Sequence, residues 1–106
     1  MNVTAFQARA TATVQIAATT TSARVAIAGL ESGGTVRVVN PGTTAARVEF
    51  GDVTVAATSP SGATPGSLMV PAAAVEVLAA HFGVTHVAAK MESGTATVEF
   101  TPGFGI

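Results

Sequence analysis

The sequence predicts an all-β fold made of short antiparallel strands. Ala, Val and Thr make up half of the 106 residues, and the β-branched members of this set suit a pleated sheet. They fall in alternating runs such as residues 11–17 and 94–100, a pattern that turns one strand face to a core and the other to water. Turn residues recur between the runs at short intervals, which is typical of a β-sandwich or a β-barrel.

The length favours one domain over residues 1–106, with about eight short strands. Only 29 residues are Val, Ile, Leu, Met or Phe, so the core is expected to be thin and to gain from assembly into a homo-oligomer. The candidate strands lie near residues 11–17, 24–28, 35–40, 45–50, 53–57, 67–70, 74–80, 84–89 and 94–101.

Two turns and one loop follow from local residue types. In Asn40–Thr43, a proline followed by a glycine predicts a type II turn with Gly42 at positive φ. Gly94 is expected at positive φ in a tight reversal before the last strand. Residues 58–67 have loop composition and are expected to form a mobile edge or a partner-binding loop.

Residues 71–82 fit either a helix or a strand. A proline followed by an Ala-rich run could begin a helix. Val75 and Val77, however, alternate with Glu76 and Leu78, and this favours a strand.

A weak internal similarity appears at an offset of 50 residues. Its clearest part relates residues 47–50 to residues 97–100, which share Val-Glu-Phe. Chance matching in a sequence of low complexity is one interpretation. The other is a pair of similar strand meanders that face each other across one core, with Phe50 and Phe100 as equivalent core aromatics.

Charge and hydropathy argue against several partners. The net charge is −1, only 10% of residues are charged, and the basic residues are scattered singly, so we expect no nucleic-acid binding. No apolar run approaches the ~20 residues of a membrane span. Residues 1–10 lack the pattern of a signal peptide, which favours synthesis in a cytoplasm. Without cysteine, no disulfide can form.

Catalytic residues are not recognisable, and we expect no enzyme activity and no cofactor. Glu49 and Glu99 alternate with apolar residues, which places them on the solvent face. His81 and His86 lack the third ligand that a metal site needs, so we expect them to be surface or edge side chains. A hydrolase or lyase of the cupin type would need a His and Glu cluster that this sequence does not supply.

A resemblance to a known group rests on the order of motifs between residues 34 and 105. A strand, an Asn-Pro-Gly turn and a strand ending in Phe-Gly occupy residues 34–51. A Pro/Gly loop follows, and the segment ends in Gly94-Thr-Ala-Thr-Val-Glu-Phe-Thr-Pro-Gly103. This order resembles small virion proteins of tailed bacteriophages that are encoded among head genes.

The resemblance implies a β-sandwich of jelly-roll type that acts as a capsid cement or decoration protein. Its partners would be the major capsid protein and copies of itself, and its place the outer surface of the virion. Residues 1–10 and 101–106 are candidates for assembly arms. As contact residues we expect two loop prolines and two C-terminal apolar residues, namely Pro60, Pro65, Phe104 and Ile106. The alternative is a tail or head-fibre adaptor that binds host surface sugars.

Overall fold

A computed structural model describes residues 5–105, which form nine β-strands in two antiparallel sheets. The all-β prediction and the choice of strand for residues 74–80 are therefore confirmed. No helix of residues 5–105 is long and apolar enough to cross a membrane. The strands are β1 (Gln7–Ala8), β2 (Val14–Ala18), β3 (Ala23–Ala26), β4 (Gly34–Asn40), β5 (Ala46–Gly51), β6 (Leu68–Val70), β7 (Ala74–Ala80), β8 (His86–Met91) and β9 (Ala96–Phe104).

The two sheets pack face to face as a sandwich. Sheet A has the order β2-β9-β4-β7, and β1 pairs with the end of β9 on the same side as β2. Sheet B has the order β3-β8-β5-β6. From β2 to β9, every connection except β5 to β6 passes from one sheet to the other.

The two halves of the chain are not separate meanders that face each other, so this interpretation of the internal similarity does not hold. β4 of the first half lies between β7 and β9, and β8 of the second half lies between β3 and β5. Each of these two strands, β4 and β8, is therefore paired on both sides with strands from the other half of the chain. Phe100 is fully buried, whereas Phe50 is only partly buried, so these aromatics are not equivalent in packing.

The core lies between the sheets and consists mainly of Val, Ala, Ile and Leu side chains. Its largest fully buried members are Phe100, Leu30 and Met91. The alternation rule holds in the central strands: Val36 and Val38 are buried while Arg37 between them is exposed. Glu49 and Glu99 are exposed, as the alternation predicted.

Residues 53–57 do not form a strand, although their alternation predicted one. A turn at Asp52 ends β5 instead: its carboxylate accepts hydrogen bonds from the Thr54 amide at 2.8 Å and the Thr54 hydroxyl at 2.6 Å. The Val55 amide also donates to the Asp52 carbonyl at 3.0 Å. These local bonds compete with strand pairing and divert the chain from the sheet.

The chain from residue 52 to residue 67 passes over the outer face of sheet B, and we call it the strap. The Ala57 amide donates to the Ser22 hydroxyl at the start of β3 at 2.8 Å. At the other edge of the sheet, the Ser67 hydroxyl donates to the Glu49 carboxylate at 2.7 Å. Ala88 pairs with Glu49 on the outer face of β8 and is nevertheless fully buried, because the strap covers it.

Of the two turns predicted from the sequence, the one at Gly94 has the expected backbone conformation and the one at Gly42 does not. Gly94 has a φ of +69°, as predicted. Gly42 is not among the residues at positive φ, so the type II assignment is wrong. The turn needs glycine for another reason, because a Cβ atom on Gly42 would lie 2.8 Å from the Cβ of Ala96.

The C-terminal arm expected at residues 101–106 is largely part of the fold. β9 continues through Phe104, since Thr101 and Gly103 pair with β4 and Gly103 and Phe104 pair with β1. The N-terminal arm expected at residues 1–10 includes β1. Residues 1–4 and Ile106 lie outside the described residues.

Candidate interaction surface

One end of the sandwich collects exposed apolar side chains. Strands β3, β5, β7 and β9 end there, and β4 and β8 begin there. Phe82 is 78% exposed, Phe104 59% and Val53 58%, and these are three of the six large apolar side chains exposed within residues 5–105. We call these three side chains, which lie at the same end of the sandwich, the apolar end.

Two interlocked turns hold Phe82 at this end. Gly83 follows it with a φ of +85°, and the Gly83 amide donates to the Glu31 carbonyl at 2.9 Å. The facing turn closes through a bond of 2.9 Å from the Gly33 amide to the Leu30 carbonyl. A Cβ atom on Gly33 would lie 3.7 Å from the Phe82 ring, so the ring rests against this turn rather than in the core. The ring is thus positioned by backbone while its surface stays in water.

Phe104 is exposed because it extends beyond the core. Phe104 is separated from the buried residues Phe100 and Pro102 by an even number of positions, so the alternation of β9 would point its side chain toward the core. The core ends before it, since Gly103 is the last residue of β9 that pairs with β4. The sequence-based choice of Phe104 as an exposed apolar residue is consistent with this position.

The loop prolines lie elsewhere. Pro60 and Pro65 are both exposed and flank a small hairpin in which Ser61 and Thr64 exchange backbone hydrogen bonds. The neighbouring Ser59 hydroxyl donates at 2.6 Å to Glu92, which follows β8 at the end opposite His86. The structure therefore separates these prolines from Phe104 and does not gather the expected contact residues into one site. Ile106 lies outside the described residues.

A second apolar region runs along the edge formed by β6 and β7. A cavity of about 240 Å³ opens between the two strands, lined mainly by Phe50, Leu68 and Leu78. Strand β6 pairs only with residues 46–48 of β5, so the remaining residues of β5 have an open side at this cavity. Leu68 and Met69 on β6 are about half exposed. We call this region the β6–β7 edge.

Strand β7 turns its valines outward. Val75 and Val77 share a face with Arg37 and Val39 on the outside of sheet A, and Val75 is 49% exposed. Glu76 lies on the opposite face, in register with the buried Val38. Alternation correctly predicted a strand here, but the apolar face is the solvent face, which adds to the apolar surface near the β6–β7 edge.

The rings of both histidines lie within hydrogen-bonding distance of oxygen atoms of other residues. His81 is exposed, and its ring lies between two carbonyl oxygens, 2.8 Å from that of Phe82 and 3.4 Å from that of Phe50. His86 is half-buried, with Nδ1 2.9 Å from the Thr85 hydroxyl. Among residues 5–105, no group of three or more His, Asp or Glu side chains could hold a metal ion.

The carboxyl groups with shifted pKa values also act in turns and loops. The Thr54 hydroxyl and amide lower the pKa of Asp52 at the end of β5. The Ser59 hydroxyl and then Arg47 lower the pKa of Glu92, whose carboxylate lies 3.1 Å from the Arg47 guanidinium. Each carboxylate thus stabilises local structure through hydrogen bonds from neighbouring residues.

Comparisons of the chain with protein-family models, curated proteins and solved structures found no match. The fold and the surface define a small all-β sandwich with an exposed apolar end.

Proposed function

We propose that the sandwich is a jelly roll. Counted from β2 as the first strand, sheet A has the order first, eighth, third, sixth, and sheet B has the order second, seventh, fourth, fifth. In a jelly roll, eight strands form two Greek keys that wrap around each other, so that successive strands alternate between the sheets in this way. Strand β1 is then an addition at the edge of β9.

We further propose that the protein is a capsid cement or decoration protein of a tailed bacteriophage. It binds the major capsid protein and copies of itself on the outer surface of the virion, without catalysis, cofactor or nucleic acid. The apolar end is the observation that supports this role. Two largely exposed phenylalanine rings at the same end of a small domain offer an apolar surface that a partner could cover.

The composition of the surface suits binding that is driven by burial of apolar side chains over an extended contact. Burial of one exposed aromatic side chain at an interface contributes about 1.5–3 kcal/mol, so a few such contacts give only weak binding of a single copy. On a repeating shell, many linked copies raise the effective concentration of each contact and convert weak binding into avidity. The low fraction of charged residues, 10%, limits the cost of removing ions from water.

The proposal is tested on particles of the phage that encodes this chain, made with and without its gene. During a heating ramp, a DNA-binding dye reports the release of packaged DNA. We expect particles without the protein to release DNA at a lower temperature, and purified protein to restore the resistance. A Phe82→Ser variant should restore it less well than a Met69→Ser variant, which changes an exposed apolar residue on β6 instead. Equal resistance of both particle types would refute the cement role.

A second candidate function is host-sugar binding by a tail or head-fibre adaptor, and the exposed ring of Phe82 favours it. Flat aromatic faces pack against sugar rings, and this ring is open to a ligand. Binding of purified protein to a glycan array, lost in Phe82→Ser, would support this function over the cement role. Binding to isolated capsid shells without any glycan signal would support the cement role.

A further inference from the structure

The N-terminal strand is attached to the sandwich by few contacts. β1 pairs with β9 at only two positions, Gln7 with Phe104 and Ala8 with Gly103. One further backbone bond runs from the Arg9 amide to the Pro102 carbonyl at 2.8 Å. Every residue from Gln7 to Thr11 is exposed. The segment therefore lies on the surface of the sheet edge and contributes little to the core.

The place that β1 occupies is nevertheless specific. Gly103 is buried, and a Cβ atom there would fall 2.9 Å from the Phe6 ring and would collide with the Gln7 carbonyl. Because Gly103 has no side chain, it leaves a slot on β9 in which the Phe6 ring lies against the sheet. Aromatic side chains that cover a glycine on a neighbouring strand pin the register of a strand pair.

The connection between β1 and β2 is strained at Thr11 and borders an open groove. Thr11 has a φ of +55°, a left-handed conformation that is rare for a β-branched residue. Residues 9–14 form one wall of an open groove of about 580 Å³. The fixed points of this stretch lie at its ends, where the Arg9 side chain lies against Gly29 and the Thr13 hydroxyl lies 2.8 Å from the Thr101 hydroxyl. An extended conformation at Thr11 would relieve the strain and carry β1 away from its own β9.

We propose that residues 5–10 form an exchangeable strand, with Thr11 as the hinge. When two copies touch, this strand leaves the β9 edge of its own chain and takes the same place on β9 of the second copy. The slot fits the segment within one chain, so it fits the identical segment of a neighbour, and each contact that is lost is regained. Strain at Thr11 then favours the exchanged form.

The geometry limits which copies can exchange. Four residues, 10–13, separate β1 and its Arg9 bond from β2, and their extended reach is about 13 Å. The second copy must therefore present its β9 end close to Val14 of the first. This exchange links copies of the chain whatever surface they bind, so it does not depend on the proposed cement role.

Engineered cysteines test the exchange because the native chain has none. Gln7→Cys and Phe104→Cys are made as single variants, mixed in equal amounts and oxidised over a range of concentrations. A disulfide between positions 7 and 104 then forms only between chains. The matched control mixes Gln15→Cys with Glu99→Cys, which are exposed partners in the β2–β9 pair, where no exchange is proposed.

We expect the 7–104 link, identified by mass spectrometry, to exceed the 15–99 link by at least about tenfold, as expected for a site of high effective concentration. The double variant Gln7→Cys/Phe104→Cys provides a check within one chain. It should give internal disulfides when dilute and covalent oligomers when concentrated. The inference is overturned if the mixed variants link no better than the control, or if the double variant gives internal disulfides at every concentration.

Discussion

The amide nitrogen of Asn40 in β4 lies 3.2 Å from the carbonyl oxygen of Val70 in β6, so one buried side chain joins sheet A to sheet B. The same nitrogen lies 3.0 Å from the Thr44 carbonyl and 3.1 Å from the Pro71 carbonyl. The Asn40 Oδ1 accepts a bond of 3.0 Å from the Gly42 amide. Asn40 thus fixes the β4–β5 turn and the β6–β7 connection in one arrangement.

We predict that Asn40→Ala lowers the free energy of unfolding by about 1–3 kcal/mol, because it leaves the buried Val70 carbonyl without this donor. Asn40→Asp should be at least as damaging, since a carboxylate cannot donate to these carbonyls. Urea unfolding measures both. Thr97→Ala, at an exposed position of β9, serves as the control. A loss for Asn40→Ala no larger than that of the control would show that this side chain does not join the sheets.

The two aromatic residues of the internal similarity should differ in their contribution to stability. Phe100 is fully buried, so Phe100→Ala leaves a cavity and should cost about 3–5 kcal/mol. Phe50 is partly exposed at the β6–β7 edge, and Phe50→Ala should cost clearly less. Denaturant unfolding of the two variants side by side gives the comparison. Equal losses would contradict the difference in packing.

Acid should loosen the strap at its Glu92 attachment. The Ser59 hydroxyl and Arg47 hold the pKa of Glu92 below its ordinary value of 4.5. Its folded pKa is therefore lower than its unfolded pKa. The stabilisation is fully present above pH 4.5 and is lost as the pH falls through the folded pKa.

The corresponding variant is Glu92→Gln, compared with the native chain by thermal unfolding at each pH. At neutral pH the variant should melt at a lower temperature, and the difference should shrink as the pH falls below 4.5. Asp52, whose pKa is lowered by Thr54, is present in both proteins, so its titration cancels in the comparison. A difference that grows in acid would have the wrong sign for this account.

Phe82 should affect binding without affecting the fold. Its ring is 78% exposed, so Phe82→Ser should change the free energy of unfolding by no more than about 0.5 kcal/mol. Light scattering at high protein concentration should show weaker self-association for this variant than for Met69→Ser. A large loss of stability would instead identify Phe82 as a structural residue.

Much of the fold could be predicted because strand alternation reports burial directly. Val36, Arg37 and Val38 show the simple case, in which only the charged residue is exposed. The rule fails at residues 53–57, where side-chain bonds from Asp52 to Thr54 end the strand early. For β7 the rule predicts the strand but not its buried face, because alternation identifies two faces without showing which one meets the core.

The candidate interaction surface was harder to predict than the fold. Phe104 could be chosen because it is an apolar residue in the C-terminal segment that was expected to form an arm. Phe82 could not, since a phenylalanine after an apolar strand usually belongs to the core. A local signal was present in Gly83, whose positive φ turns the chain directly after the ring and leaves it outside.

The central claim is that the apolar end attaches this sandwich to a larger shell. Electron cryo-microscopy of particles of the phage that we propose encodes this chain, with the sandwich fitted into the density, tests it most directly. We expect the protein on the outer surface of the head, with Phe82 and Phe104 buried against the major capsid protein. Density for the protein on the tail, or on the head with both rings facing solvent, would contradict the claim.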